Sequence, residues 1–132
     1  MVDSKLASKS LMEASKSFTE LVVWQKAHQF VLKTYLLTQK FPKEEVYGLS
    51  SQFRRAAMSI AANIAEGFAR RGARDKCRFL NFSQSSLQEC RYFLILSRDL
   101  KYQIDPTMSD LADEIAKLLN SYISAIHRRS IS

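Results

Sequence analysis

The chain is almost empty of turn residues, with three glycines and two prolines in 132 positions. A sheet-rich fold of this length reverses direction many times and needs turn-forming residues at each reversal, so the shortage points to a few long helices. No alternating apolar/polar stretch competes. Apolar residues recur instead at +3 and +4 spacing, the period of one helix face.

That spacing predicts four helices. The first covers about 20–40, where Leu21, Trp24, His28, Val31 and Tyr35 make one seam and Val23, Ala27, Phe30, Thr34 and Leu37 a second. Two adjacent seams suit a helix packed against two neighbours. Thr19 is a candidate N-cap. His28, on an apolar seam, reads as a packed, hydrogen-bonded core histidine. Phe41-Pro42 ends the helix, because proline disfavours helical geometry in the residue before it.

The second helix covers about 46–70, with a stripe of Leu49, Phe53, Ala57, Ile60, Ile64 and Phe68. Ala56, Ala61, Ala62 and Ala65 are small enough to let a neighbouring backbone come close. Gly67 marks a close contact or the helix end, and Gly72 breaks the chain. The third helix, about 73–101, is the longest. Leu80, Ser83, Leu87, Cys90, Leu94 and Ser97 form one seam, and Phe79, Phe82, Ser86, Phe93, Leu96 and Leu100 run beside it. Its apolar surface exceeds what one core needs, which suits either a subunit interface or a central, well-covered helix in a monomer. The fourth helix, about 106–129, opens on Asp105 as N-cap with Pro106 at its first position. Its stripe is Leu111, Ile115, Leu118, Tyr122 and Ile126, with Arg128 and Arg129 placed to complement the helix dipole at its end.

The fold class is therefore all-α, an antiparallel up-and-down four-helix bundle over 18–132, preceded by a flexible amino-terminal tail, 1–17. A chain of this length suits one domain and can bury a core without staples. Cys77 and Cys90 stand 13 positions apart on one predicted helix, or roughly 20 Å at the helical rise. They cannot bridge each other, and two free thiols suit a reducing cytoplasm. The opening segment is Ser/Lys-rich without an apolar run, so neither a signal peptide nor a membrane span is expected.

No catalytic constellation is visible. The two histidines, His28 and His127, are far apart, and no metal-binding, phosphate-loop or nucleophile motif occurs. Glu66 and Glu89 without histidines make a poor metal site. The expectation is a protein with no catalytic residues, no metal and no cofactor, which acts by binding.

Charge says what it binds. The chain carries a formal net charge of +7. Between Ser50 and Arg98, nine basic residues (Arg54, Arg55, Arg70, Arg71, Arg74, Lys76, Arg78, Arg91, Arg98) face only Glu66, Asp75 and Glu89. Five of the nine crowd into Arg70 to Arg78, around the turn between the second and third helices. Arginine grips phosphate oxygens in a bidentate fork that lysine cannot match. Arg54, Arg55, Arg70, Arg71, Arg74, Lys76 and Arg78 are the candidate nucleic-acid-binding residues, set against the plainer reading of a solvated loop. No base-reading motif accompanies them, so binding would rest on phosphates and shape and fall steeply with salt. Arg55, Ser59, Asn63, Glu66 and Arg70 form a polar stripe that reads as an exposed face or a polar subunit contact.

Several short segments also carry a resemblance. Val23-Trp24-Gln25-Lys26-Ala27, Phe41-Pro42-Lys43-Glu44-Glu45, Tyr47-Gly48-Leu49-Ser50-Ser51-Gln52-Phe53-Arg54-Arg55-Ala56-Ala57 and Ser59-Ile60-Ala61-Ala62-Asn63-Ile64-Ala65-Glu66-Gly67 together resemble the four-helix-bundle proteins encoded in intervening sequences of bacterial 23S ribosomal RNA genes. The accessory proteins of diversity-generating retroelements are more distant relatives. The resemblance covers about residues 18–122 and implies a homopentameric ring with a basic surface, contacting nucleic acid, RNA rather than DNA. It also implies an alternative, a scaffold for a partner protein such as a reverse transcriptase.

Overall fold

The computed structural model describes residues 15–131. Most of the expected tail, residues 1–14, lies outside the described residues. Within them are four α-helices and no strand: α1 (Val22–Thr38), α2 (Leu49–Ala69), α3 (Ala73–Asp99) and α4 (Thr107–Ile131). Each helix packs on its neighbours in sequence, and α4 closes the ring against α1. This is the up-and-down bundle that the sequence predicts.

The core is one cluster drawn from all four helices, with Phe30, Phe53, Ile60, Ile64, Leu80, Met108, Ile115 and Leu119 fully buried. Phe53 lies between Phe30 and Phe93, at ring-centroid distances of 6.4 and 5.6 Å. Of the small residues of α2, Ala56 and Ala61 are buried, Ala65 is half-buried and Ala62 is exposed, and the helices approach so closely that the buried Ser83 hydroxyl donates to the Ile60 carbonyl at 2.8 Å. Gly67 marks another close approach. A Cβ there would sit 3.2 Å from the Lys76 carbonyl oxygen and 3.4 Å from Leu80.

Two expectations for α1 are corrected. Thr19 does not cap it. A 3-10 turn, Phe18–Glu20, intervenes, capped by Ser17, whose hydroxyl accepts from the Thr19 N–H. The helix then starts after Leu21, whose side chain is buried rather than capping. His28 is not a core histidine. The seam of Val23, Ala27, Phe30, Thr34 and Leu37 is buried, whereas Trp24, Val31 and Tyr35 are half-buried and His28 is exposed. One seam fills the gap between α2 and α4, so the other becomes a rim, where the His28 ring stacks on Trp24 at 4.9 Å. On α4 the stripe also shifts, because Leu119 is buried and Leu118 only partly so.

The connections differ in length. Residues 39–48 join α1 to α2, 70–72 join α2 to α3, and 100–106 join α3 to α4. In the first, Glu45 turns back on the start of α2. Its carboxylate accepts from the Leu49 N–H at 3.3 Å and from the Tyr102 hydroxyl at 2.9 Å. A carboxylate suits the positive end of a helix. Gly48 leaves it room, since a Cβ there would lie 2.8 Å from the Glu45 carboxylate. In the last connection, Asp105 accepts from the Thr107 N–H and hydroxyl at 2.9 and 2.6 Å, the N-cap bonds expected of it.

Candidate nucleic-acid interface

The three-residue turn Arg70-Arg71-Gly72 reverses the chain at one end of the bundle. The up-and-down order brings the carboxyl end of α4 to the same end. The sequence-predicted site therefore divides, and it gains members.

Arg71 and Arg74 are exposed and have no carboxylate or hydrogen-bond partner among the described residues. They are the cations most available to a polyanion. Arg70 and Arg78 flank one ring: their guanidinium carbons lie 4.5 and 4.8 Å from the centroid of Phe79. Each also pairs with an acid on its own side, Arg70 with Glu66 at 2.9 Å and Arg78 with Asp75 at 3.1 Å. Exposed pairs of this kind contribute about 0–1 kcal/mol, so a phosphate can displace the carboxylate. The stacking on Phe79 meanwhile holds both guanidinium planes in place.

Lys76 has a different task. Its ammonium donates to the carbonyls of Gly67 and Phe68 at 3.3 and 2.9 Å. These are carbonyls in the last turn of α2, and that of Gly67 also accepts from the Arg70 N–H at 3.2 Å. Burial lowers the Lys76 pKa from its ordinary value. Lys76 thus fastens the first turn of α3 to the end of α2.

Arg54 and Arg55 do not join the cluster. They lie 16 and 15 residues before Arg70 on α2, or roughly 23 Å along the helix axis. The Arg54 Nε donates to the Thr38 hydroxyl at 2.7 Å and its guanidinium lies 4.6 Å from the Tyr35 ring centroid, so it ties α2 to the end of α1. Arg55 is exposed, on the same face as Ser59 and Asn63. Within that polar stripe, Asn63 donates to Ser59 and Ser59 meets Ser86 of α3 at 2.9 Å.

The structure adds His127, Arg128 and Arg129 to the basic end. Arg129 lines a cavity with Arg71 and Lys76, and His127 lines a broader depression with Arg74 and Arg78. The His127 Nε2 lies 3.8 Å from the Cys77 thiol. Sequence reasoning used Arg128 and Arg129 only as dipole partners. The up-and-down topology alone would have placed them beside the second turn.

Exposed apolar residues begin beside the site, where Phe82 lies 5.8 Å from the Phe79 ring and 6.0 Å from the Arg78 guanidinium, and continue along α3. On α3, Phe82, Tyr92 and Ile95 are 45%, 56% and 47% exposed, so the surplus read from the sequence reaches solvent in the single chain. Among the described residues, no group of three or more His, Cys, Asp or Glu could hold a metal, and no helix is long and apolar enough to cross a membrane.

The family model of the 23S rRNA-intervening sequence proteins matches residues 19–123, nearly the whole bundle. The chain belongs to the 23S rRNA-intervening sequence protein family. A crystal structure of a protein of unknown function from the S23 ribosomal protein family of Bacteroides thetaiotaomicron has the same fold. It superposes with a TM-score of 0.66 at 24% identity, over 80% of this chain and 96% of that one. No curated protein matches this chain significantly.

Proposed function

We propose that this member of the family is a non-catalytic oligomer that binds RNA through the phosphate backbone at its arginine-rich end. The observation that carries the reading is the pair Arg71 and Arg74, exposed and unneutralised at the turn between α2 and α3, with Arg128 and Arg129 of α4 at the same end. The family's own name, with its reference to ribosomal RNA, supports RNA over DNA. The working compartment is the cytoplasm, where both cysteines stay reduced, in keeping with two buried free thiols.

Oligomerisation is part of the proposal. The exposed Phe82, Tyr92 and Ile95 on α3 supply apolar contacts for a second copy. A homopentamer, which the family resemblance implies, would repeat a modest basic patch five times and raise its avidity. Light scattering tests this directly: a single 15.2 kDa species at working concentration removes the oligomer. RNA affinity measured against salt tests the ligand. Steep salt dependence that flattens in Arg71→Ala/Arg74→Ala supports the proposal, and absent or salt-insensitive binding removes it.

The same exposed face of α3 favours a second reading, a scaffold for a partner protein such as a reverse transcriptase. A stoichiometric protein partner recovered without nucleic acid would select it.

A further inference from the structure

We propose that the cavity at the basic end is a nucleotide pocket, taking a phosphate on its cations and a flat ring on its apolar wall. The cavity lies where the last turn of α2, the first turn of α3 and the last turns of α4 meet. Its volume is about 380 Å³, within the range of small-molecule sites. Phe68, Tyr122 and Ile126 supply the apolar wall, and Arg71, Lys76 and Arg129 supply the charge.

Three independent features call for a ligand of this chemistry. The first is Tyr122. It is 3% exposed, yet its hydroxyl has no hydrogen-bond partner among the described residues. A hydroxyl without a protein partner on a cavity wall is open to a polar group of a ligand. The second is Lys76. Its ammonium is partly withdrawn from water and meets two carbonyl oxygens but no carboxylate. A cation in that state gains from an anion, and an ammonium has a third proton to give. The third is the start of α3. Gly72 is its N-cap and offers no side chain to the first N–H groups, and Ala73 at the first helical position lines the cavity. Uncapped helix starts favour phosphate.

A bare phosphate would use the cations and the helix start, but leave the Phe68 and Ile126 wall and the Tyr122 hydroxyl unused. A nucleotide uses all of them: its phosphate meets Arg71, Lys76 and Arg129, its base lies against the apolar wall, and a base edge takes the Tyr122 hydroxyl. The nucleotide can come from two sources. One is a free nucleoside monophosphate. The other is an unstacked nucleotide of a bound RNA strand, the usual target of sequence-tolerant pockets in RNA-binding proteins. Only the second source rests on the RNA reading above.

The test is a titration of the full chain, isotopically labelled, followed through the backbone amides of Ala73, Tyr122 and Ile126. Adenosine 5′-monophosphate is expected to shift these amides saturably, and adenosine or inorganic phosphate alone to bind at least about tenfold more weakly. Tyr122→Phe keeps the ring and the fold and removes only the hydroxyl, so a several-fold loss of nucleotide affinity is expected. Arg71→Ala, on an exposed side chain, is expected to cost more. A single-stranded oligonucleotide that produces the same shifts, where a duplex does not, assigns the pocket to an unstacked RNA nucleotide. The proposal is overturned if the nucleotide leaves these amides unmoved, if phosphate alone binds as well, or if Tyr122→Phe changes nothing. RNA binding with full salt dependence alongside an unresponsive cavity would sink the pocket and leave the phosphate-contact reading standing. Nucleotide binding without RNA binding would do the reverse.

Discussion

At one end of the bundle the chain passes between helices through ten residues and again through seven; at the other it does so through three. The long connections are packed. Phe41 is 6% exposed and lies 5.4 Å from the Tyr102 ring, while Tyr102 reaches Glu45, which also caps α2. Asp105 caps α4 and receives Lys33 from α1 at 3.8 Å. Acids and bases are mixed there, and most polar groups are used. The short turn has no such cover. Among the described residues Arg71 and Arg74 have no acid partner, α3 starts without a side-chain cap, and a cavity opens between three helix ends. At the long-connection end Phe41, Tyr102, Glu45 and Asp105 are tied to the fold, although Val46, Tyr47, Leu100 and Ile104 stay exposed, whereas at the short-turn end the cations are the exposed groups. The difference follows from chain length: three residues cannot fold back over the helix ends, whereas ten can.

The comparison breaks first on stability. Phe41→Ala, at the packed end, is expected to cost about 3–5 kcal/mol, whereas Arg71→Ala at the open end should stay within about 0.5 kcal/mol. Urea denaturation checks both, and equal costs would dissolve the contrast. Binding should show the opposite pattern. Arg71→Ala/Arg74→Ala should lower RNA affinity by about ten- to a hundredfold and flatten the salt slope by roughly 1.4–1.8. Lys40→Ala/Lys43→Ala at the packed end should leave both nearly unchanged.

A third prediction concerns pH. Burial first, and the neighbouring Glu89 second, push the Cys90 thiol up to about 12. Burial does the same to Tyr122, also to about 12. Both groups hold their protons in the folded state after the unfolded chain has released them, so stability falls as pH rises. The fall begins near the ordinary thiol value of 9.0 for Cys90 and the ordinary phenol value of 10.0 for Tyr122, and continues to about 12 for each. Cys90→Ala should flatten the alkaline slope from pH 9 upward, and Tyr122→Phe only from pH 10, read as melting temperature against pH. The smallest effect belongs to the seven-residue connection. Lys101 holds a φ of 63°, in the left-handed region, so Lys101→Gly should raise stability by up to about 1 kcal/mol and Lys101→Val should lower it.

The four helices were legible because their faces repeat at helical spacing and turn residues are scarce. The seam of α1 from Val23 to Leu37, Ala56 and Ala61 of α2 and the Asp105 cap appear as read, whereas Ala62 of α2 faces solvent. His28 was misread for a geometric reason: two seams look alike in sequence, and only the packing of α2 and α4 decides which one is covered. Thr19 was misread because a 3-10 turn capped by Ser17 has the same signature as a helix start. At the candidate site, charge density pointed to the turn. Periodicity could not reveal that Lys76 serves the backbone, that Arg54 serves Thr38, or that α4 brings Arg129 to Arg71. Those facts depend on partners distant in sequence, as does the cavity that Tyr122 lines.

The stack of Trp24 on His28 has a practical consequence. Trp24 is the single tryptophan of the whole chain, so all indole emission comes from one place. It stands near the start of α1, which the bundle's alternation sets at the level of the three-residue turn. The unmodified protein thus carries its own optical gauge at that end, open to any polyanion that alters the local field.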